Sequence, residues 1–253
     1  MAQRVLITAG AGGIGLEIAR AFVREGAKVH VADINAEAVE KVTSELENVT
    51  GTVGDIADPA AADQILEDVR SHLGGLDVLV NNAGIAGPTK PITEYGEDDF
   101  DAVINVNLRG TFNVTKRAVP LLKESDAPSI ITMSSLAGRF GYPNRIGYST
   151  TKFALVGFAK TLARELGEFG ITSNTIHPGA VAGPRMENVL QGRADISGRT
   201  LEEERESALA NQAVQQFVDA ADIAELVLFL AGPHARSISG QMLNIDGDSK
   251  AAV

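Results

Sequence analysis

The chain has 253 residues, with 22 Lys plus Arg against 33 Asp plus Glu, and so carries a net charge of −11; that balance excludes a nucleic-acid partner, because no basic excess exists to neutralise phosphates. It has no cysteine, which rules out disulfides, thiolate metal sites and a cysteine nucleophile. Its four histidines, at 30, 72, 177 and 234, lack ligand spacing, so no metal is expected.

At this length and 44% apolar content, one α/β domain over residues 1–253 can build a sizeable core. No run approaches the roughly 18 apolar residues of a membrane span. The short apolar run after Met1 breaks into glycines, unlike a secretory signal. The expectation is a cytoplasmic chain with no membrane partner.

Short runs rich in Val and Ile alternate with stretches of helical period. In chain order the strand candidates are Val5–Thr8, Lys28–Asp33, Thr50–Asp55, Val78–Asn81, Ser129–Met133, Thr172–His177 and Met242–Ile245. Most lack polar alternation, as strands buried on both faces of a parallel sheet do. Between them the pattern predicts helices over Gly15–Glu25, Ala36–Glu47, Pro59–Leu73, Glu97–Leu122, Tyr148–Phe169 and Ala221–Ala231. Asp58 before Pro59, and Asp219, read as N-caps. The alternation predicts a doubly wound α/β sheet of the Rossmann type with right-handed crossovers. Two segments, Ile85–Asp98 and Ala182–Thr200, read as long loops, and an acidic helix start follows at Glu202–Glu206.

The first strand runs into Ala9-Gly10-Ala11-Gly12-Gly13-Ile14-Gly15. Gly10, Gly12 and Gly15 match G-x-G-x-x-G between a strand and a helix, and Asp33 ends the second strand. Such glycines let a pyrophosphate approach the backbone and meet the positive end of the helix. A carboxylate at Asp33 accepts hydrogen bonds from ribose hydroxyls and repels a 2′-phosphate, and Ile34 follows it with no basic residue in the loop; NAD is the expected cofactor.

Tyr148-Ser149-Thr150-Thr151-Lys152 places a phenol and an ammonium four residues apart on one helix face. A nearby cation favours phenolate, which suits Tyr148 to proton exchange with an alcohol or carbonyl oxygen. Ser135 precedes it by thirteen residues, just past the strand Ser129–Met133.

With these residues, and with Asp55-Ile56, Asn81-Asn82-Ala83-Gly84, Asn107, Pro178-Gly179 and Ile238-Ser239-Gly240-Gln241…Asp246-Gly247, the chain resembles the short-chain dehydrogenase/reductase family over residues 4–247. The resemblance implies that Tyr148 is the acid/base, that Lys152 lowers its pKa and holds the nicotinamide ribose, and that Ser135 binds the reacting oxygen. It implies that Asn107 holds a water linking Lys152 to solvent, and that Asp55 and Ile56 contact adenine. Asn81, Ala83 and Gly84 would line the cofactor, with Asn81 also open to a role in tying strands together. Pro178 and Gly179 would shape the nicotinamide end, and Gly13, Ile14, Ile34 and Val181 complete the cofactor set. His177 reads as a strand-end residue. Two departures stand out. The family's first loop glycine is Ala9, which fits if its φ is negative, and Gly183 stands where a threonine is common.

In the family the segment after Pro178-Gly179, here 182–210, covers the substrate. Arg139, Arg145, Arg185, Arg193 and Arg199 lie in or near it, and Arg145 and Arg185 are the candidates for an anionic substrate group. Solvated arginines or subunit salt bridges are the alternative. Phe140, Tyr142, Ile85 and Met186 are candidate apolar wall. The expected reaction is hydride transfer between NAD and a secondary alcohol or ketone, with an anionic or polyol metabolite as partner. The alternatives are a non-catalytic dinucleotide-binding scaffold and an epimerase or dehydratase on the same fold. The resemblance further implies a homo-oligomer, tetramer or dimer, built through the helices Glu97–Leu122 and Tyr148–Phe169 and the C-terminal strand.

Overall fold

In a computed structural model, which describes residues 2–252 without the side chain of Arg185, seven parallel strands form one sheet. They are β1 (Arg4–Thr8), β2 (Lys28–Asp33), β3 (Val49–Val53), β4 (Val78–Asn81), β5 (Ser129–Met133), β6 (Thr172–Pro178) and β7 (Met242–Ile245), in the order β3-β2-β1-β4-β5-β6-β7. Val5 pairs with Val29 on one side and Val78 on the other. The order therefore reverses between β1 and β4, and the carboxyl ends of those strands part to open a crevice.

The helices are α1 (Gly13–Arg24), α2 (Ala36–Glu45), α3 (Pro59–Leu73), α4 (Glu97–Ile104), α5 (Thr111–Leu122), α6 (Ile146–Glu165), α7 (Pro184–Ser197), α8 (Leu201–Ala210) and α9 (Ala220–Ala231). The pleat of β1 shows why the core has two halves. Val5 and Ile7 pack with Ile18 and Phe22 of α1 and Val227 and Leu230 of α9. Leu6 packs on the other face with Ile65 and Val69 of α3 and Val114 and Leu122 of α5. Asp58 and Asp219 cap α3 and α9 as expected, accepting from Ala60 N at 2.9 Å and Ala221 N at 3.0 Å. No described helix is long and apolar enough to cross a membrane.

Three expectations change. The long helix over Glu97–Leu122 is broken by a π-helical turn, Asn105–Gly110, that joins α4 to α5. The third strand ends at Val53, leaving Asp55 beyond it. Most of the loop expected over Ala182–Thr200 is helix: Pro184 starts α7, and Leu190 and Ala194, four residues apart, are its buried face. Its glycines and arginines obscure that short apolar stripe in the sequence. α8 opens on a capping box between Thr200 and Glu203.

Candidate active site

The glycine loop is held from behind. Thr8 Oγ1 accepts from the amides of Asn82 and Ala83, both at 3.0 Å. Asn82 Nδ2 donates to the carbonyls of Thr8 and Ala9, both at 3.1 Å. Ala9 adopts φ +49°, against the expected negative value. Gly10 beside it does not absorb the turn, so an alanine sits in the left-handed region at a cost of about 1–2 kcal/mol, with Asn82 clamping its carbonyl. A Cβ at Gly15 would lie 2.1 Å from Ala9 O, so that glycine is required for close approach. At Gly12 a Cβ would meet nothing within 4 Å. Gly12 caps α1 with no side-chain bond, and no acidic residue occupies the first turn. The first-turn amides thus face open space, the arrangement that receives a pyrophosphate. Asp33 Oδ2 accepts from Ala11 N at 3.2 Å and Oδ1 from Asn35 N at 3.1 Å, which fixes the carboxylate against the loop. These residues fit a dinucleotide.

Tyr148 lies in the first turn of α6, and Lys152 one turn on. The Lys152 ammonium is 5.5 Å from the Tyr148 ring centre and donates to Met133 O at 2.8 Å. Ser134 and Ser149 staple the turn after β5 to this helix, donating to Lys152 O and Ala137 O, each at 2.9 Å. Ser135 Oγ accepts from Ala137 N at 3.2 Å. His177, fully buried, donates through Nδ1 to Ser135 O at 2.8 Å, while Nε2 accepts from Thr175 Oγ1 at 2.8 Å. Burial pushes the His177 imidazole down to about 4, so it stays neutral.

Asn107 sits in the π-helical turn and is fully buried. Its Oδ1 accepts from Ile85 N at 2.7 Å, and Nδ2 donates to Ile85 O and Thr151 Oγ1, both at 3.0 Å. Both amide hydrogens are spent, so a water at Asn107 would be held by its acceptor oxygens. A Cβ at Gly84 would lie 3.2 Å from Asn107 Oδ1 and 3.5 Å from Lys152 Nζ, which places all three together.

A cavity of about 310 Å³ runs from Gly12, Gly13 and Ile14 past Ser135, Tyr148 and Lys152 to Pro178, Gly179 and Val181, and ends under α7 and α8. Several expected residues lie off its wall. Asp33 and the 72%-exposed Ile34 sit at the far side of the glycine loop. Asp55 binds Ala57 N at 2.9 Å, and Ile56 is core beside Gly110. Asn81 is buried, and its Nδ2 donates to Thr115 Oγ1 of α5 at 2.9 Å and to Thr132 Oγ1 of the neighbouring strand β5 at 3.5 Å. Arg145 lines the cavity but is 3% exposed, donating to Thr89 Oγ1 at 3.1 Å and Ala86 O at 3.3 Å. The Arg185 side chain lies outside the described residues. Arg139 pairs with Asp246 and Arg199 with Glu204 within the chain. Of the apolar candidates, Tyr142 and Met186 line the cavity, while Ile85 and Phe140 do not.

The sequence reading gives Asn82 and Ser134 no role, although both line the cavity and secure it. The doubled Asn81-Asn82 and Ser134-Ser135 at strand ends were the available signal. Gly183 takes φ +130°, a conformation nearly confined to glycine. A threonine there would strain the backbone.

A family profile described as enoyl-(acyl carrier protein) reductase matches residues 9–247. The chain is 35% identical to the 3-oxoacyl-(acyl-carrier-protein) reductase FabG of Thermotoga maritima, covering 96% of this chain and 95% of the other. It is 33% identical to the D-beta-hydroxybutyrate dehydrogenase of Rhizobium meliloti, covering 98% of both. Among solved structures it is similar to an actinorhodin polyketide ketoreductase variant with NADPH (TM-score 0.93, 32% identity, 97% and 96% covered). It is similar also to an NAD+-bound xylitol dehydrogenase (TM-score 0.94, 27% identity, 97% and 98% covered). The fold and site define a Rossmann-type oxidoreductase. The chain belongs to the short-chain dehydrogenase/reductase family, whose members act on alcohols and ketones.

Proposed function

We propose that the protein is an NAD-dependent alcohol dehydrogenase or ketoreductase in which Tyr148 is the acid/base. The observation that carries this reading is the convergence of Ser135, Tyr148 and Lys152 on the cavity that begins at the glycine loop. The bound nicotinamide would supply the hydride acceptor or donor.

The chain's own residues do the rest. Ser135 Oγ, in the cavity wall, orients the substrate oxygen. The Tyr148 hydroxyl gives it a proton in reduction and takes one in oxidation. Lys152, its carbon stem buried and its ammonium beside the phenol, favours phenolate electrostatically. Asn107 positions Lys152 and Gly84 through Ile85 and Thr151. Gly10, Gly12, Gly13, Ile14 and Gly15 would hold the pyrophosphate, and Asp33 the adenosine ribose, with Ile34, Asp55 and Ile56 at the adenine end. Ala83, Gly84, Pro178, Gly179 and Val181 would bound the nicotinamide. Residues 182–210 would cover the substrate. Phe112 on α5 and Phe153 on α6, both nearly half exposed, support a homo-oligomer through those helices.

The cofactor assignment rests on Asp33. Initial rates with NAD and NADP should favour NAD, and Asp33→Ala should cut that preference at least tenfold, since a carboxylate–hydroxyl hydrogen bond is lost and the repulsion of a 2′-phosphate is removed. Equal use of both cofactors by the unaltered protein would contradict the assignment.

A further inference from the structure

The cavity is lined by cations. Its wall holds three cationic side chains, Arg145, Lys152 and Arg193, and not one aspartate or glutamate among the described residues, although the chain as a whole is strongly acidic. Lys152 belongs to the proton chemistry. Arg145 and Arg193 lie on the substrate side, away from the glycine loop, and share one ring. Each guanidinium is 5.4 Å from the centre of Tyr142, and Arg145 is also 5.4 Å from the centre of Tyr148. Arg193 Nη2 donates to the Tyr142 hydroxyl.

The two arginines are built differently. Arg145 is buried and tied to the Ala86–Thr89 loop. Arg193 projects from α7, is half-buried, and has no carboxylate within salt-bridge distance among the described residues. Its neighbours Arg199 and Arg205, by contrast, pair with Glu204 and Glu187. Two like charges around one aromatic ring repel, more strongly where apolar walls such as Met186 and Val189 displace water. The ring face offsets part of that repulsion. An anionic group on the occupant would meet the guanidinium of Arg193, whose planar fork of donors suits a carboxylate.

We propose that the substrate is an oxo or hydroxy acid whose carboxylate is bound by Arg193 within the Arg145–Tyr142–Arg193 cluster, a claim that rests on the oxidoreductase reading above. The anion-binding role then falls on an arginine of α7 that faces Tyr142.

The test is a ladder of 2-, 3-, 4- and 5-oxo acids, each with its methyl ester, reduced with NADH by the native chain and by Arg193→Gln. The expected result is at least one acid whose kcat/KM exceeds that of its ester by about tenfold or more. Arg193→Gln should lower the acid's kcat/KM by about 10- to 100-fold, chiefly through KM, and bring the acid-to-ester ratio close to one. NADH binding, followed by fluorescence, reports whether the variant is folded. Esters that match or exceed their acids along the whole ladder overturn the proposal, as does an acid preference that survives in Arg193→Gln. If NADH binds and neither acids, esters nor simple ketones are reduced, the oxidoreductase reading fails. Calorimetric binding of the acids to the NADH-loaded chain then decides the anion site alone: binding lost in Arg193→Gln upholds it, and no binding overturns it.

Discussion

The two walls of the cavity are made in opposite ways. The wall that carries Tyr148 is buried polar structure: Asn107, Ser134 and Lys152 are each no more than 5% exposed, and their hydrogen bonds go to backbone carbonyls or to one another's neighbours. The covering wall, α7 and α8, has few buried side chains and is tied by surface ion pairs such as Arg205–Glu187. Acid–base chemistry needs atoms fixed to within fractions of an ångström, and a dense buried network supplies that. Choice of substrate needs only a layer that presents different side chains, and helices lying over the crevice supply it.

That contrast can be broken most severely at the glycine loop, which is built like the wall that carries Tyr148. Gly15→Ala drives a methyl against the Ala9 carbonyl, and we expect a loss of about 3 kcal/mol or more in the cofactor-free chain. Gly12→Ala, whose methyl meets no protein atom, should leave that stability in place and weaken NAD binding instead. Thermal unfolding with and without NAD separates the two.

Acid acts on the same rigid body. The buried His30, between Thr50 and Thr52, and His177 are both pushed by burial to about 4, below the ordinary value of 6.5. The unfolded chain binds these protons near 6.5 while the folded chain resists them. Stability is therefore full above 6.5 and falls as pH drops from 6.5 toward 4, by about 1.4 kcal/mol per pH unit for each histidine. Urea unfolding at pH 7, 6 and 5 measures the slope, and His30→Gln should remove about half of this contribution. A stability independent of pH over that range would show that the imidazoles are not held neutral.

Smaller effects sharpen the comparison. Ala9→Gly relieves the left-handed backbone, worth about 1–2 kcal/mol, against about 0.5–1 kcal/mol of added chain entropy. A net gain of about 0.5–1 kcal/mol should appear in the unfolding midpoint. In the covering layer, Glu187→Gln removes a partly exposed partner of Arg205 and should change stability by less than about 1 kcal/mol. A larger loss there would mean that α7 and α8 are part of the rigid body.

The same contrast explains what could be read in advance. Strands such as Lys28–Asp33 and Ser129–Met133 were legible to the residue because their central residues are buried on both faces and Val or Ile recurs there, with only small or neutral polar residues between. The grouping of Tyr148, Lys152 and Ser135 on one cavity was legible because the proposed chemistry demands fixed residue types at fixed intervals. Other features were not. The backbone of Ala9 depends on a clamp from Asn82, seventy-three positions away. The π-helical turn at Asn105–Gly110 reads as ordinary helix because no proline or helix stop interrupts it, and its buried residues, Asn107 and Gly110, mark no change of period in the sequence. Helix α7 buries only a narrow stripe, and the residue of that segment that faces Tyr142, Arg193, is indistinguishable in sequence from Arg199, which is paired at the surface.

The central claim is that Tyr148 moves the proton in a nicotinamide-dependent oxidation or reduction. The most direct measurement follows the absorbance of the reduced nicotinamide with a panel of secondary alcohols, hydroxy acids and their ketones, for the native chain and Tyr148→Phe. The account predicts turnover that falls by about 10²–10⁴-fold in the variant while NADH still binds. Turnover that survives the loss of the Tyr148 hydroxyl would contradict it.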